Sequence, residues 1–490
     1  RVVEFLLSDH PRDCNICQKH GNCELQRVAE MVGVREITVP VTDFTTHRID
    51  DSSPAMVRDA SKCINCLRCV AVCAETQGVF LLTPEGRGFN SKVVPAMSEN
   101  LNEAACTFCG QCAVVCPTGA IVEKDDTDKV WAALNNPDLH VVVQEAPAVR
   151  AQLGEEFGMP AGSLVTGKMI AALRRLGFAK VFDTNFTADL TIIEEGNELL
   201  KRVKSGGTLP MVTSCSPGWI KFCEHFYPEV LPHISTCKSP QQMFGALVKT
   251  YYAQFAGIDP AKIFSVSIMP CTAKKFEAAR PEMNSSGYRD VDVVLTTREL
   301  GRMIREAGID FVNLPDEEFD APMGQYTGAA TIFGATGGVM EAALRTVYAV
   351  VVGKNLPSLD ITPVRGLEGV KEAAVEVGPL GTVKVAVAHG LANARKVMDQ
   401  VKAGTAPWAF IEIMACPGGC VGGGGQPLPV SDEKRRLRAS ALYRDDKDVQ
   451  KLRQSHENPA VTLLYERFLK DPLGHMSHKL LHTKYTARGV

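Results

Sequence analysis

The chain has 490 residues, 45% hydrophobic and 22% charged, the composition of an ordinary globular protein with length for about three domains. A formal net charge of −3 gives no electrostatic reason to expect nucleic acid or an anionic membrane as partner. No apolar run approaches the roughly 18 residues of a membrane span, so no membrane-spanning segment is expected, and a soluble, cytoplasmic protein is.

The opening run, "RVVEFLLSDHP", reads as the interior of a fold, so further chain is expected upstream of Arg1. Cysteine then dominates: there are 17, and eleven fall in the first 116 positions at tight, repeated spacings. Disulfide frameworks of that density belong to small secreted domains, so metal is the better reading. His10-x3-Cys14-x2-Cys17-x5-Cys23 places four ligand-type residues on one short segment, enough to close a single site. Its spacing also fits a zinc knuckle, and His20 competes with His10 as the nitrogen ligand.

Two longer runs follow. Cys63-x2-Cys66-x2-Cys69-x3-Cys73 and Cys106-x2-Cys109-x2-Cys112-x3-Cys116-Pro117 are the bacterial two-cluster ferredoxin pattern, given twice, with Ala74 in the first run where the pattern has proline. Three thiolates on a tight loop reach three corners of one 4Fe–4S cubane. The fourth is expected to start a short helix and serve the other cluster. One cluster therefore takes Cys63, Cys66, Cys69 and Cys116, and the other Cys106, Cys109, Cys112 and Cys73. No substrate pocket is implied here; these residues read as electron wiring.

Residues 124–138 read as a connector. From residue 139 short β-rich runs ("HVVVQ", "FSVSIM", "VDVVLTT", "VKVAVAHG", "FIEIMA") alternate with helical stretches at 190–204, 240–255 and 297–306. That alternation predicts a parallel or mixed sheet with helices outside, and chemistry at loops leaving the strands' C-terminal ends. Residues 431–490 read as mostly helical. Three cysteine loops end or follow apolar runs: "MVTSCSPGW" (211–219), "IMPCTAKKFE" (268–277) and "IMACPGGCVGGGGQP" (413–427). Cys416 and Cys420 are close enough to hold two corners of one cluster, and the surrounding glycines let backbone approach a bulky inorganic group. A phosphate cradle is a weak reading, because no Lys-Ser or Lys-Thr follows.

Taken together and in this order, the three loops resemble the signature loops of the FeFe-hydrogenase active-site domain, over residues 10 to 485 or so. The His10–Cys23 segment is similar to the one-histidine, three-cysteine 4Fe–4S module beside ferredoxin domains in that family and in the large iron–sulfur subunit of complex I. The resemblance implies an α+β multidomain chain. Residues 1–50 would form the histidine–cysteine module, 51–125 the two-cluster ferredoxin domain, and 126–490 a two-lobed α/β active-site domain with a helical C-terminal segment. It implies reversible oxidation of H2 to protons and electrons at an H-cluster, a 4Fe–4S cubane thiolate-bridged to a two-iron subsite carrying CO, cyanide and a bridging dithiolate amine. A plant-type 2Fe–2S domain would precede residue 1, as in larger relatives. The implied electron partners are ferredoxin and flavin-containing, NAD(P)-binding iron–sulfur subunits. The chain has no nucleotide fingerprint, so nicotinamide chemistry would belong to another chain.

By position, Cys271, Cys416 and Cys420 resemble three cubane ligands, Cys420 being shared with the two-iron subsite. Lys274 takes the place of the lysine that hydrogen-bonds a cyanide. Ala146, Pro147, Gln241, Met269 and Met414 fall at pocket-lining positions, and Ala148 where some relatives have serine. Glu195 and Glu198, one helical turn apart, would form the proton path with Ser235 and Cys215. One departure stands out. Where the family has two adjacent cysteines, proton relay then ligand, this chain has Cys215-Ser216. Serine is a hard and weakly acidic ligand. Position favours Cys215 as relay and Ser216 as ligand, chemistry favours Cys215 as ligand, and Cys237 of the neighbouring loop is a third source. Cys223 and Cys237 otherwise read as buried, inert thiols. Two rival readings stay open: a slow hydrogen sensor or assembly-type homologue, motivated by Ser216, and a complex I-type electron-transfer subunit, which leaves the three C-terminal loops without purpose.

Overall fold

The computed structural model describes residues 1–40, 49–88, 91–98 and 100–489. Its largest part is built on two four-stranded sheets. In the first, β6 (His140–Glu145), β7 (Lys180–Asp183), β9 (Ile263–Met269) and β10 (Val293–Thr296) are all parallel in the order β10-β9-β6-β7. Every residue of β10 is buried, as is all of β6 beyond its first residue, which explains their unbroken valine-rich sequences: helices cover both faces. In the second sheet, β8 (Met211–Val212), β13 (Phe410–Met414) and β12 (Thr382–His389) are parallel, and β11 (Val370–Glu376) adds an antiparallel edge. β11 alone among the longer strands alternates exposed and covered residues, as an edge strand with one wet face should.

The five β-rich runs predicted from sequence are β6, β9, β10, β12 and β13. The predicted helices appear as Thr184–Ser205, Thr297–Glu306 and Pro240–Leu247, the last continuing through a wide turn into Ala253–Ala256. The 124–138 stretch is more than a connector. It contains the helix Thr127–Leu134, whose Val130 and Ala133 pack into the core of the first sheet. The C-terminal segment forms helices Asp432–Arg444, Pro459–Leu464 and His475–Leu481, and Leu464, Leu480 and Leu481 share a core with Leu190 and Phe244.

The cysteine-rich part carries an antiparallel sheet of β1 (Ile49–Asp50), β2 (Met56–Asp59) and β5 (Ile121–Glu123), and a hairpin of β3 (Leu82–Glu85) and β4 (Lys92–Pro95). Here one expectation is corrected in part. Cys116 closes the short helix Gln111–Val115 rather than starting one, whereas Cys73 stands near the start of the wide helical turn Val72–Thr76 that continues Arg68–Ala71. The cause is local. Leu67 and Gly110, with φ of 62° and 71°, turn the chain into a helix just before the third cysteine, so third and fourth thiols leave from opposite ends of one turn. Among the described residues no helix is long and apolar enough to cross a membrane.

Candidate active site and its electron chain

Parallel strands deliver their C-terminal loops to one side, and both large sheets aim theirs at the same cavity. It is lined by Ala146 and Pro147 after β6, Met269 and Cys271 at the end of β9, Cys215 and Ser216 after β8, and Met414 and Cys416 at the end of β13. Cys420, Gln241 and Lys274 complete the wall. All five pocket-lining positions proposed from sequence are therefore in one place. Ala148 is fully buried nearby but outside the lining. Behind the β6 turn, Arg150 bonds Glu145 and the Asp183 carboxylate at 2.8 Å, a fully buried ion cluster that holds this loop down.

The glycine loop does two jobs. A Cβ on Gly423 would lie 2.2 Å from the Pro270 carbonyl, and one on Gly424 would lie 2.5 Å from that of Cys109. The glycines thus admit neighbouring backbone, a role the sequence reading did not foresee. Gly419 and Gly423 also line the cavity.

Lys274 Nζ donates to the Cys215 carbonyl (3.1 Å) and to Glu277 Oε2 (2.9 Å). Glu277 also accepts from Ser239 Oγ (2.9 Å) and Gln241 Nε2 (3.2 Å). Sequence reasoning missed Glu277, although its place one helical turn after Lys274 was a readable signal. Glu412 of β13 was missed as well; buried, it accepts from Gly337 N (2.6 Å) and Met340 N (2.8 Å).

The thiols differ in surroundings. Burial pushes the Cys215 thiol far up, followed by the nearby Glu195 carboxyl, while Lys274 pulls it down. Burial raises Cys416 too, but its next neighbours are the Cys271, Cys109 and Cys420 sulfurs. Burial pushes Cys420 to about 12. Glu195 and Lys274 thus lead the charged neighbours of Cys215, ahead of Cys420, while sulfurs lead those of Cys416. Ser216 Oγ accepts from the N–H of Ala415, the residue before Cys416 (3.2 Å). Cys237 stays out of the lining: its Sγ lies 3.9 Å from Glu198 Oε2. Cys223 donates to the Tyr227 carbonyl within the core, as an inert thiol would.

Beyond Cys215 lie the two glutamates on the Thr184–Ser205 helix. Burial raises Glu195 to about 8, partly opposed by its contact with the Ser235 hydroxyl. Ser235 Oγ in turn donates to Glu198 Oε2 (3.2 Å). The structure thus gathers Cys215, Glu195, Ser235 and Glu198 behind the cavity.

Three further cavities in the cysteine-rich part are lined by cysteines. Cys63, Cys66, Cys69 and Cys116 line one, and Cys73, Cys106, Cys109 and Cys112 line another, the crossed grouping expected from spacing. His10, Cys14, Cys17 and Cys23 line the third, with His20. His10 is buried and its Nδ1 has no partner, whereas His20 is exposed and its Nδ1 is 3.5 Å from Gln26 Nε2. An unpartnered buried nitrogen beside three thiols is what an absent metal group leaves behind. Cys109 lines both the second ferredoxin cavity and the catalytic one, and Gly119 of the third cavity follows Thr118 of the first.

Known proteins share this design. Residues 139–424 match the family "Iron only hydrogenase large subunit, C-terminal domain" and 432–488 match "Iron hydrogenase small subunit". Residues 62–120 match "4Fe-4S dicluster domain" and 1–38 match "NADH-ubiquinone oxidoreductase-G iron-sulfur binding region". The chain is 53% identical to the NADP-reducing hydrogenase subunit HndD of Solidesulfovibrio fructosivorans, over 99% of this chain and 84% of that one. It is 44% identical to iron hydrogenase 1 of Clostridium pasteurianum, over 99% and 85%. A solved single-residue variant of the FeFe-hydrogenase HydA1 from Chlamydomonas reinhardtii superposes with a TM-score of 0.67 at 45% identity, covering 75% of this chain and all of that one. The strand-end loops and the cysteine cavities thus belong to a known machine: the chain is a member of the FeFe-hydrogenase large-subunit family, an iron–sulfur oxidoreductase acting on H2.

Proposed function

We propose that the chain interconverts H2 with protons and electrons at a six-iron H-cluster, and passes the electrons through three 4Fe–4S clusters. The convergence of Cys271, Cys416 and Cys420 with Lys274 in one largely buried cavity carries this reading. When bound, the group supplies iron that activates H2 and a base that receives its proton.

The chain's residues do the rest. Cys271, Cys416 and Cys420 hold three cubane corners, and Ser216 stands at the fourth, beside the backbone of Ala415. Cys215, turned toward Glu195 and Lys274, holds a proton rather than iron. Lys274, steadied by Glu277, offers donors and positive charge to an anionic iron ligand such as cyanide. Met269, Met414, Ala146, Pro147 and Gln241 shape the wall and exclude water. Glu195, protonated near neutral pH, exchanges its proton with Cys215 on one side and, through Ser235, with Glu198 on the other.

The relay runs from the cavity through the Cys106–Cys109–Cys112–Cys73 and Cys63–Cys66–Cys69–Cys116 clusters to the one held by His10, Cys14, Cys17 and Cys23. Cluster potentials near about −400 mV suit ferredoxin as partner. The likeness to a subunit named NADP-reducing supports an NAD(P)-linked partner subunit, and the reading gives that partner a flavin and the complex a cytoplasmic setting. Residues 1–50, 51–125 and 126–490 then act as terminal wire, middle wire and catalytic unit.

The test is infrared spectroscopy of anaerobically purified, matured protein under H2 and then argon. Metal-bound CO and cyanide bands that shift with the gas are expected. A protein replete in cubanes but without such bands would overturn the reading in favour of electron transfer alone.

A further inference from the structure

The proton path proposed above ends at Glu198, and the structure shows what surrounds that carboxylate. Its Oε1 accepts from Arg202 Nη2 (2.7 Å). Its Oε2 accepts from Thr236 N (3.0 Å) and from Thr236 Oγ1 (3.0 Å) as well as from Ser235. A guanidinium does not give up its proton in a protein, so Arg202 fixes the carboxylate without relaying. Thr236 is different. Its single hydroxyl proton goes to Glu198, so its 2.8 Å contact with His482 Nδ1 is one in which the hydroxyl accepts and His482 donates. His482 Nε2 lies 3.2 Å from Glu194 Oε2, and the imidazole is only 5% exposed. One helical turn earlier, exposed His478 sets its ring centroid 4.5 Å from that of His482.

Backbone pairing holds this arrangement in register. Cys237 and His482 form an antiparallel bridge, Thr483 N donates to Thr236 O (2.8 Å), and Lys238 N donates to Leu481 O (2.7 Å). The C-terminal segment is thereby zipped against the loop that carries Ser235 and Thr236. Glu194 is pinned as well. Burial pushes it up, but hydrogen bonds from His482, Tyr465 and the Leu473 N–H outweigh this and keep it a carboxylate. The titratable groups around the two rings are Glu194, Glu198, Cys237 and Lys201, with Tyr465 behind Glu194.

We infer that Thr236, His482 and His478 form a proton branch joining Glu198 to solvent. The inference rests on the hydrogenase reading. In the inward direction His482 starts with both ring nitrogens protonated, Nδ1–H on Thr236 Oγ1 and Nε2–H on Glu194. The Nδ1 proton moves to Thr236 Oγ1 as the hydroxyl proton moves to Glu198 Oε2. Only N–H and O–H bonds form and break, no electrons move, and the neutral ring flips and regains a proton from the His478 side to restore its starting state. Neither Thr236 nor His482 touches the cavity, so both act by moving protons at a distance from the iron.

The experiment uses the matured holoenzyme with four variants, His482→Gln, Thr236→Val, the double of these two, and His482→Ala. Both His482→Gln and Thr236→Val are expected to lose H2 turnover at least about tenfold, as a missing proton-transfer group does, with infrared bands unchanged. The double variant should lose no more than either alone, and added imidazole should restore His482→Ala. Turnover within about twofold of the parent in either single variant, with bands intact, would overturn the branch. So would multiplying losses or an absent imidazole rescue. Thr236→Val keeps the ring and the side-chain volume, so it decides the matter if the His482 variants fold poorly. A parent protein without CO and cyanide bands overturns the hydrogenase reading and the branch with it; intact bands with unaffected variants overturn the branch alone.

Discussion

At the scale of single residues the chain's most telling choice is serine at position 216. A cubane corner calls for a soft thiolate, and a hydroxyl is harder and far less acidic. The adjacent cysteine looks like the natural substitute, yet Glu195 and Lys274 come before the Cys420 sulfur among its charged neighbours. Cys215→Ala is therefore expected to keep the catalytic cubane, read by iron content and electron paramagnetic resonance, while H2 turnover falls about a hundredfold or more. Ser216→Cys should keep the proton path, alter the cubane's resonance and slow its loss to chelator. Loss of the cubane in Cys215→Ala would make that cysteine the ligand.

At the scale of elements the glycine loop shows how a segment can serve chemistry and packing together. Gly424 lies against the Cys109 carbonyl, the Gly110 Cα and the Thr272 hydroxyl, and a Cβ there would meet the last two at 2.8 and 2.9 Å. Gly424→Ala should cost roughly 1–3 kcal/mol in thermal unfolding, the usual range for overpacking, and weaken magnetic coupling between the cluster at Cys109 and the catalytic cubane. Unchanged stability and coupling would show that the loop yields freely. This contact also marks what was readable in advance. Strand runs such as 410–414 and the cysteine spacings are local signals, and they anticipated five of the longer strands and which ferredoxin-type cysteines line one cavity. The direction of the short ferredoxin helices hung on a positive φ at Leu67, a residue type that gives no warning of one. Thr236 and His482 are 246 positions apart, Arg150 and Asp183 are 33 apart, and no periodicity connects such partners. Long-range polar pairing was illegible because tertiary packing alone creates it.

At the scale of the whole molecule, the wire and the catalytic unit are joined by buried charge. Arg298 Nη2 donates to Glu123 Oε2 at the end of β5 (2.6 Å) and to the Gly424 carbonyl (2.9 Å), and its Nη1 donates to the Gln426 carbonyl (2.6 Å). Arg302 takes the other oxygen of Glu123 (2.8 Å), and Lys275 bridges Asp126 (2.6 Å) and Glu299 (2.9 Å). One guanidinium thus ties the ferredoxin sheet to the loop carrying Cys420. Burial alone would raise Glu123, but Arg298 and Arg302 outweigh it and hold the carboxyl well below its ordinary value of 4.5. Removing Arg298 leaves a buried carboxylate half compensated, a change that typically costs about 3–5 kcal/mol. The sign with pH follows from the depressed value: the stabilisation is present in full above 4.5 and is lost as pH falls toward the folded-state value. Arg298→Ala should therefore melt well below the parent at neutral pH, with the gap closing in acid. Rapid-freeze spectra after mixing with H2 should show the catalytic cubane reduced on time and the ferredoxin clusters late. A variant whose clusters fill together, and whose melting deficit ignores pH, would mean that the junction is held by packing and that Arg298 is dispensable to the wire.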